Sequence, residues 1–109
     1  MEIKKYDGVE RRKALRVTYH SGNRPLLKVG ENKFEIADIS EWGLRFFAVR
    51  KIEFQNWVHG TVKLLCGESI DVEGMIVRET EVDVYLNINI PISINILYGE
   101  QRHINYNLD

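Results

Sequence analysis

Hydrophobic and polar residues alternate along most of the chain between Leu15 and Ile90. Strict alternation over several residues predicts a β-strand with one buried face. The pattern begins at residues 15–20, recurs at Gly43 to Val49 and is longest at residues 81–90. In that last segment one predicted face is apolar and the other is mainly polar. The apolar face has Val82, Val84, Leu86, Ile88 and Ile90, and the other face has Asp83, Tyr85, Asn87 and Asn89.

Two further pairs of alternating segments are joined by short glycine-containing connections, which are typical of β-hairpins. Residues 26–29 and 34–39 flank the first connection, and residues 61–65 and 69–77 flank the second, Cys66-Gly67-Glu68. Between these hairpins, the pattern around Phe54, Trp57 and Val58 predicts no conformation. We expect those three apolar side chains to pack in the core.

The period changes after Pro91. Ser93 is a residue type that caps helices, and an apolar spacing of three to four follows it. The positions on the expected buried stripe are Ile94, Leu97, Gln101 and Ile104. The sequence therefore predicts an all-β domain of six or so antiparallel strands followed by one C-terminal α-helix, which fits a β-barrel closed by that helix.

Length and composition agree with one globular domain. The chain has 109 residues, of which 44% are hydrophobic and 28% charged, and a chain of this length can bury a modest core without disulfides or metal. Its one cysteine, Cys66, has no partner for an internal disulfide. The first eight residues are mainly polar, and charged residues are never absent for the length of a membrane span. We expect a cytoplasmic protein.

The net charge of −1 hides an uneven distribution. Residues 1–16 carry six basic and three acidic side chains, whereas the remainder carries nine basic and thirteen acidic ones. The basic end is a candidate anion site, and the alternative interpretation is a solvated arm that keeps the chain soluble.

The sequence offers little for catalysis. The histidines His20, His59 and His103 lie in unrelated contexts, and no nucleophile, phosphate-binding loop or zinc motif accompanies them. We therefore expect neither an enzyme nor a metal site, and we interpret the histidines and Cys66 as surface or packing residues.

Two segments do carry chemistry suited to a guanine nucleotide: residues 10–16 and 38–43. Arg12 and Arg16 provide planar donor forks that match phosphate oxygens and can also stack on a base. Asp38 can accept from the N1 and N2 donors of guanine, and Ser40 can bond a phosphate oxygen or the backbone. Gly43 would allow a tight turn with positive φ between two strands.

These segments resemble the nucleotide-binding motifs of the PilZ family, R-x-x-x-R followed by D/N-x-S-x-x-G. Arg12 and Arg16 match the first motif, and Asp38, Ser40 and Gly43 match the second. In a chain of this composition the first motif occurs by chance roughly 0.6 times and the second roughly 0.03 times. The resemblance covers nearly the whole chain and extends to Glu100-Gln101-Arg102, similar to an E-Q-R run of some single-domain members.

The resemblance implies a six-stranded barrel with a C-terminal helix that binds cyclic di-GMP without catalysis or cofactor. An arginine before the first motif, here Arg11, implies an intercalated ligand dimer. Residues 1–10 would form a flexible arm and residues 11–109 the PilZ domain, which signals to a downstream protein and not to nucleic acid or membrane. The stacking tryptophan of some members has no counterpart, and Arg78 is its possible substitute.

Three alternatives stay open. Asp38 and Ser40 could merely shape a turn, with the arginines solvated. The fold could serve as a PilZ-like adaptor that binds proteins and not nucleotide. A small barrel could also bind single-stranded nucleic acid through Phe46, Phe47 and Tyr85, which the acidic remainder of the chain disfavours.

Overall fold

A computed structural model describes residues 15–48 and 56–106 of the chain. Within those residues the chain forms seven β-strands and one α-helix, which we number in chain order. They are β1 Arg16–Thr18, β2 Leu26–Val29, β3 Asn32–Ser40, β4 Gly43–Phe47, β5 Trp57–Lys63, β6 Ser69–Glu79, β7 Asp83–Ile88 and α1 Ile94–Tyr106. The expected all-β fold with a C-terminal helix is confirmed.

Six of the described strands close into an antiparallel barrel. Each pairs with the next in the order β3, β2, β5, β6, β7, β4, and β4 pairs back onto β3. The short strand β1 is additional, since it pairs with the end of β3 beyond the part that pairs with β2. One long strand, β3, therefore joins β1, β2 and β4.

Both predicted hairpins are present. The turn between β2 and β3 is tighter than expected, because Val29 pairs with Asn32 and only Gly30 and Glu31 lie between them. Gly30 has a φ of 61°, which explains a glycine at this position. The turn between β5 and β6 contains Gly67, with a φ of 102°.

The interior of the barrel is filled by the buried faces of its strands. Phe46 and Phe34 form a tilted ring pair with centroids 5.2 Å apart. Two helix residues, Leu97 and Ile104, belong to the same cluster. Its other members come mainly from the strands: Val17, Tyr19, Leu27, Ile36, Ile39, Leu44, Val58, Val62, Leu64, Val72, Val84, Leu86, Ile88 and Ile92.

Helix α1 begins as the sequence predicts but buries a different stripe. The Oγ of Ser93 accepts from the backbone N–H of Asn95 over 3.1 Å, as an N-cap does. Leu97 and Ile104 are buried, but Ile94 is exposed and Gln101 half-buried. Glu100 is buried in their place, because its carboxylate finds three hydrogen-bond donors at the end of the barrel.

Three other apolar residues that the sequence predicted to be buried, Trp57, Val82 and Ile90, are exposed. Trp57 is exposed on the outer face of β5, while its neighbour Val58 is buried; Phe54 lies outside the described residues. Val82 and Ile90 are exposed because β7 spans only Asp83–Ile88, so the alternating pattern extends beyond the strand at both ends.

Two β-bulges interrupt the regular alternation. On β3, Ile36 pairs with Phe46 and Asp38 pairs with Arg45, so Ala37 is an extra residue. On β6, Ile76 pairs with Leu86 and Arg78 pairs with Tyr85, so Val77 is an extra residue. A bulge shifts the alternation by one position, and every side chain beyond it changes face.

The one helix within residues 15–48 and 56–106 is too short to cross a lipid bilayer.

Candidate functional site

The bulges bring polar side chains onto one outer face of the barrel. Arg45 and Tyr85 lie on that face, because the neighbours of each one along its strand are buried in the core. Direct cross-strand partners then form a continuous line over β1, β3, β4, β7 and β6. We call this line the polar row, and its members are Thr18, Asp38, Arg45, Tyr85 and Arg78.

Arg16 and Ser40 lie beside the polar row. They are direct partners in the β1–β3 pair, two positions along from Thr18 and Asp38 on the same face. The Nη1 atom of Arg16 reaches diagonally and donates to Oδ1 of Asp38 over 2.9 Å. The structure thus brings Arg16, Asp38 and Ser40 together on adjacent strands.

Gly43 also belongs to this region, but not for the expected reason. It is the first residue of β4, and its φ is not positive. A Cβ built on Gly43 would lie 3.2 Å from the Oγ of Ser40. The expected positive-φ turn at Gly43 is therefore wrong, and the glycine instead leaves room for the Ser40 hydroxyl.

Arg45 joins two buried carboxylates. Its Nε donates to Oδ2 of Asp38 over 3.0 Å, and its Nη1 donates to Oδ2 of Asp83 over 2.9 Å. Burial would lower the pKa of Arg45, but the hydrogen bonds to Asp83 and Asp38 outweigh it and raise that pKa. The hydrogen bond from Thr80, followed by that from Arg45, lowers the pKa of Asp83 although burial opposes it. Arg45 and Asp83 are therefore both charged at neutral pH.

An aromatic ring lies between Arg45 and Arg78 in the polar row. The guanidinium carbon of Arg45 is 5.5 Å from the centroid of the Tyr85 ring, and that of Arg78 is 5.2 Å from it. Both distances are within the range of a cation–π contact. Half-buried Tyr85 is thus held between two arginines.

The electrostatic balance of this cluster is positive. Three arginines, Arg16, Arg45 and Arg78, accompany two aspartates, Asp38 and Asp83. The formal excess of one positive charge, combined with the exposure of Arg16 and Arg78, favours an anionic ligand. Arg11 and Arg12, predicted from the sequence to add to this charge, lie outside the described residues, as does the predicted arm 1–10.

The sequence placed Asp83 on the polar face of its strand, but neither Asp83 nor Arg45 was predicted to belong to the site. Both alternate with apolar residues on strands that were predicted, which is a signal for an outer face. The contact of Arg45 with Asp38 depends on the bulge at Ala37, and no residue type in Glu35-Ile36-Ala37-Asp38 marks that bulge. Arg78, expected only as a stacking substitute, reaches the same face because of the bulge at Val77.

The remaining candidates form no second site of this kind. His20 and His59 are exposed, and within residues 15–48 and 56–106 no cluster of three or more metal-ligating side chains occurs. Free Cys66 is half-buried at the turn after β5, where burial is the largest cause of a raised pKa of its thiol.

Comparisons of the chain with protein-family models, with curated proteins and with solved structures found no match. Function therefore has to be inferred from the chemistry of the site.

Proposed function

We propose that this chain is a receptor for cyclic di-GMP, of the kind found in the PilZ family, and that it acts by binding and not by catalysis. The observation that carries the proposal is the shared outer surface of Arg16, Asp38 and Ser40. Arg16 is 22 residues from Asp38 in sequence, and together with Gly43 these residues are the described members of the two motifs.

The phosphate part of the proposed ligand suits Arg16 and Ser40. The Arg16 side chain is 61% exposed, so its guanidinium can turn toward an anion without opening the fold. Its direct cross-strand partner Ser40 offers a hydroxyl donor, with Gly43 leaving space beside it. A guanidinium and a hydroxyl on neighbouring strands can bond two oxygens of one phosphate.

The base part of the ligand suits the polar row. Asp38 is an acceptor-only group when ionised and can receive the N1 and N2 donors of guanine. Tyr85 and Arg78 present flat groups on which a base can stack. Adenine lacks the two adjacent donors, so Asp38 would favour guanine over adenine.

Arg11 and Arg12 enter the proposal through the sequence motif alone. Arg12 would share the phosphates with Arg16, and Arg11 would contact the second member of an intercalated ligand pair. Binding would change the surface around β1 and β3, which a downstream protein would then recognise. The adaptor alternative needs no nucleotide, and a chain that fails to bind one would favour it.

Calorimetric titration with cyclic di-GMP tests the proposal directly. We expect Arg16→Ala to weaken binding at least about tenfold, because a hydrogen bond to a charged group contributes about 1.5–3 kcal/mol. Arg102→Ala, at an exposed arginine of α1, is the matched control and should leave affinity unchanged. Absence of binding to the wild-type chain would overturn the proposal.

Two further variants separate the roles within the site. Asp38→Ala should reduce the preference for cyclic di-GMP over cyclic di-AMP, whereas Asp71→Ala, at an exposed residue of β6, should not. Arg11→Leu should change the stoichiometry from a ligand pair toward a single ligand. A single ligand on the wild-type chain would exclude the intercalated dimer but not the receptor.

A further inference from the structure

The two oxygens of Asp38 are held in unequal ways. Oδ2 accepts from Arg45, whose side chain is 28% exposed, while Oδ1 accepts from Arg16, whose side chain is 61% exposed. Arg45 is also bonded to Asp83 and lies near the rings of Phe47 and Tyr85. Among the described residues, the Arg16 side chain makes no hydrogen bond or ion pair other than that with Asp38. Arg16 is therefore the more easily displaced of the two, since an exposed ion pair contributes little.

The group that Arg16 brings to Asp38 has the same donor pattern as guanine. A guanidinium presents N–H groups on nitrogens that share one planar carbon. The N1–H and N2–H groups of guanine are likewise attached to nitrogens that share the C2 carbon. Both fit one carboxylate edge, and because Nη1 of Arg16 already lies 2.9 Å from Oδ1 of Asp38, a base edge can use that atom fully only after Arg16 leaves.

We propose that Arg16 is an internal competitor for the guanine-binding edge of Asp38, and that Arg45 is a positioning residue that keeps Asp38 oriented during the exchange. The inference rests on the proposed function and adds a rule of selectivity to it. A guanine that displaces Arg16 releases a guanidinium beside Ser40, where a phosphate of the same ligand can bind it. A ligand with guanine but no phosphate displaces Arg16 without providing a new partner.

The signature of competition is an opposite response of two ligands to one substitution. Arg16→Ala should weaken cyclic di-GMP binding at least about tenfold, because the phosphate loses a charged partner. The same substitution should strengthen guanosine binding about threefold, because an exposed ion pair no longer has to be broken. A residue that only contacts ligand, or only stabilises the fold, would not strengthen guanosine binding.

The experiment measures guanosine by amide chemical-shift titration of Asp38 and its neighbours, and cyclic di-GMP by calorimetry. Arg102→Ala is the control for loss of a positive charge and should change neither affinity. Guanosine binding that is unchanged, weaker or undetectable in Arg16→Ala would overturn the competition. If cyclic di-GMP still binds the wild-type chain in that case, the proposed function survives. If guanosine binds Arg16→Ala more tightly while cyclic di-GMP fails to bind the wild-type chain, only the proposed function falls.

The positioning role of Arg45 has its own readout. Arg45→Gln should lower the ratio of cyclic di-GMP to cyclic di-AMP affinity at least about threefold, since Asp38 would lose its fixed orientation. Arg45→Lys should restore part of that ratio by returning the charge. A variant that weakens both nucleotides equally, with the ratio unchanged, would show that Arg45 is only structural.

Discussion

Asp38 and Arg45 lie directly opposite each other on β3 and β4, and Nε of Arg45 donates to Oδ2 of Asp38 over 3.0 Å. This pairing depends on the extra residue Ala37. Without the bulge, Asp38 would share a face with Phe34 and Ile36, which point into the core. One inserted residue therefore moves an acid from a core position to an outer surface where arginines can bind it.

Removal of Arg45 should destabilise the fold. Arg45→Met leaves the buried carboxylates of Asp38 and Asp83 with one partner fewer each, and we expect a loss of about 2 kcal/mol in the free energy of unfolding. This figure is smaller than for a fully buried pair, because solvent screens the partly exposed guanidinium. Urea denaturation measures it. Arg102→Met is the control, and equal stability of the two variants would contradict this role of Arg45.

Asp83 should make stability depend on acidity. The hydrogen bonds from Thr80 and then Arg45 hold the pKa of Asp83 below its ordinary value of 3.8. The folded carboxyl releases its proton more readily than the unfolded one, so its contribution is complete above that value and is lost as the pH falls through the folded pKa. The difference in unfolding free energy between wild type and Asp83→Asn should thus be constant near neutral pH and narrow below about pH 4. A difference that widens in acid would contradict this assignment.

Among the polar side chains of α1, we expect the removal of Glu100 to lower the free energy of unfolding most. Its oxygens accept from the Tyr19 hydroxyl over 2.7 Å and from the backbone N–H groups of Leu65 and Cys66 over 2.9 Å each. Burial, and then the hydrogen bond to Glu100, raises the pKa of Tyr19, so its hydroxyl remains a donor. We expect Glu100→Ala to cost about 3 kcal/mol or more, since buried donors lose their acceptor.

Tyr19→Phe should cost less than Glu100→Ala, about 1–2 kcal/mol, because the two backbone donors keep their carboxylate. Gln101→Ala is a control on the same helix, where the side chain donates to exposed Asn105. In denaturant titrations, the loss of unfolding free energy should be largest for Glu100→Ala, smaller for Tyr19→Phe and smallest for Gln101→Ala. A Glu100→Ala variant as stable as Gln101→Ala would show that the buried carboxylate contributes little.

Cys66 should react slowly with iodoacetamide near neutral pH. Burial raises the pKa of its thiol, and the neighbouring Glu100 carboxylate adds to the effect. Because this is the single cysteine of the chain, the same chain unfolded in denaturant provides the control. The rate plotted against pH should reach its midpoint at a higher pH in the folded chain. A midpoint at lower pH would contradict the assignment.

Three glycines should respond very differently to substitution by alanine. A Cβ on Gly60 or Gly74 would lie 2.4 Å from a backbone oxygen, of Lys28 and Asn87 respectively. A Cβ on Gly43 meets the movable Ser40 hydroxyl at 3.2 Å. We expect Gly60→Ala and Gly74→Ala each to lower the free energy of unfolding by about 3 kcal/mol, and Gly43→Ala to lower it by less than about 1 kcal/mol. A lower melting temperature for Gly43→Ala than for Gly74→Ala would reverse this order.

The sequence by itself predicted the fold class, both hairpins and the start of the helix at Ser93. These features depend on local chemistry: period-two alternation, turn glycines and a capping hydroxyl act over a few neighbouring residues. The motif residues Asp38 and Ser40 were also singled out from the sequence; they lie beside Arg16 in the structure, and their role in binding stays a prediction. Arg11 and Arg12 stay predictions.

Tertiary structure alone decided which side chains meet on the outer face. The faces of Asp38 and Arg78 depend on the bulges at Ala37 and Val77, which arise from pairing with β4 and β7 and have no local marker. Burial of Glu100 likewise depends on donors from residues 34 to 81 positions away in the chain. Local patterns determine strands and turns, whereas register between distant strands determines which polar groups become partners.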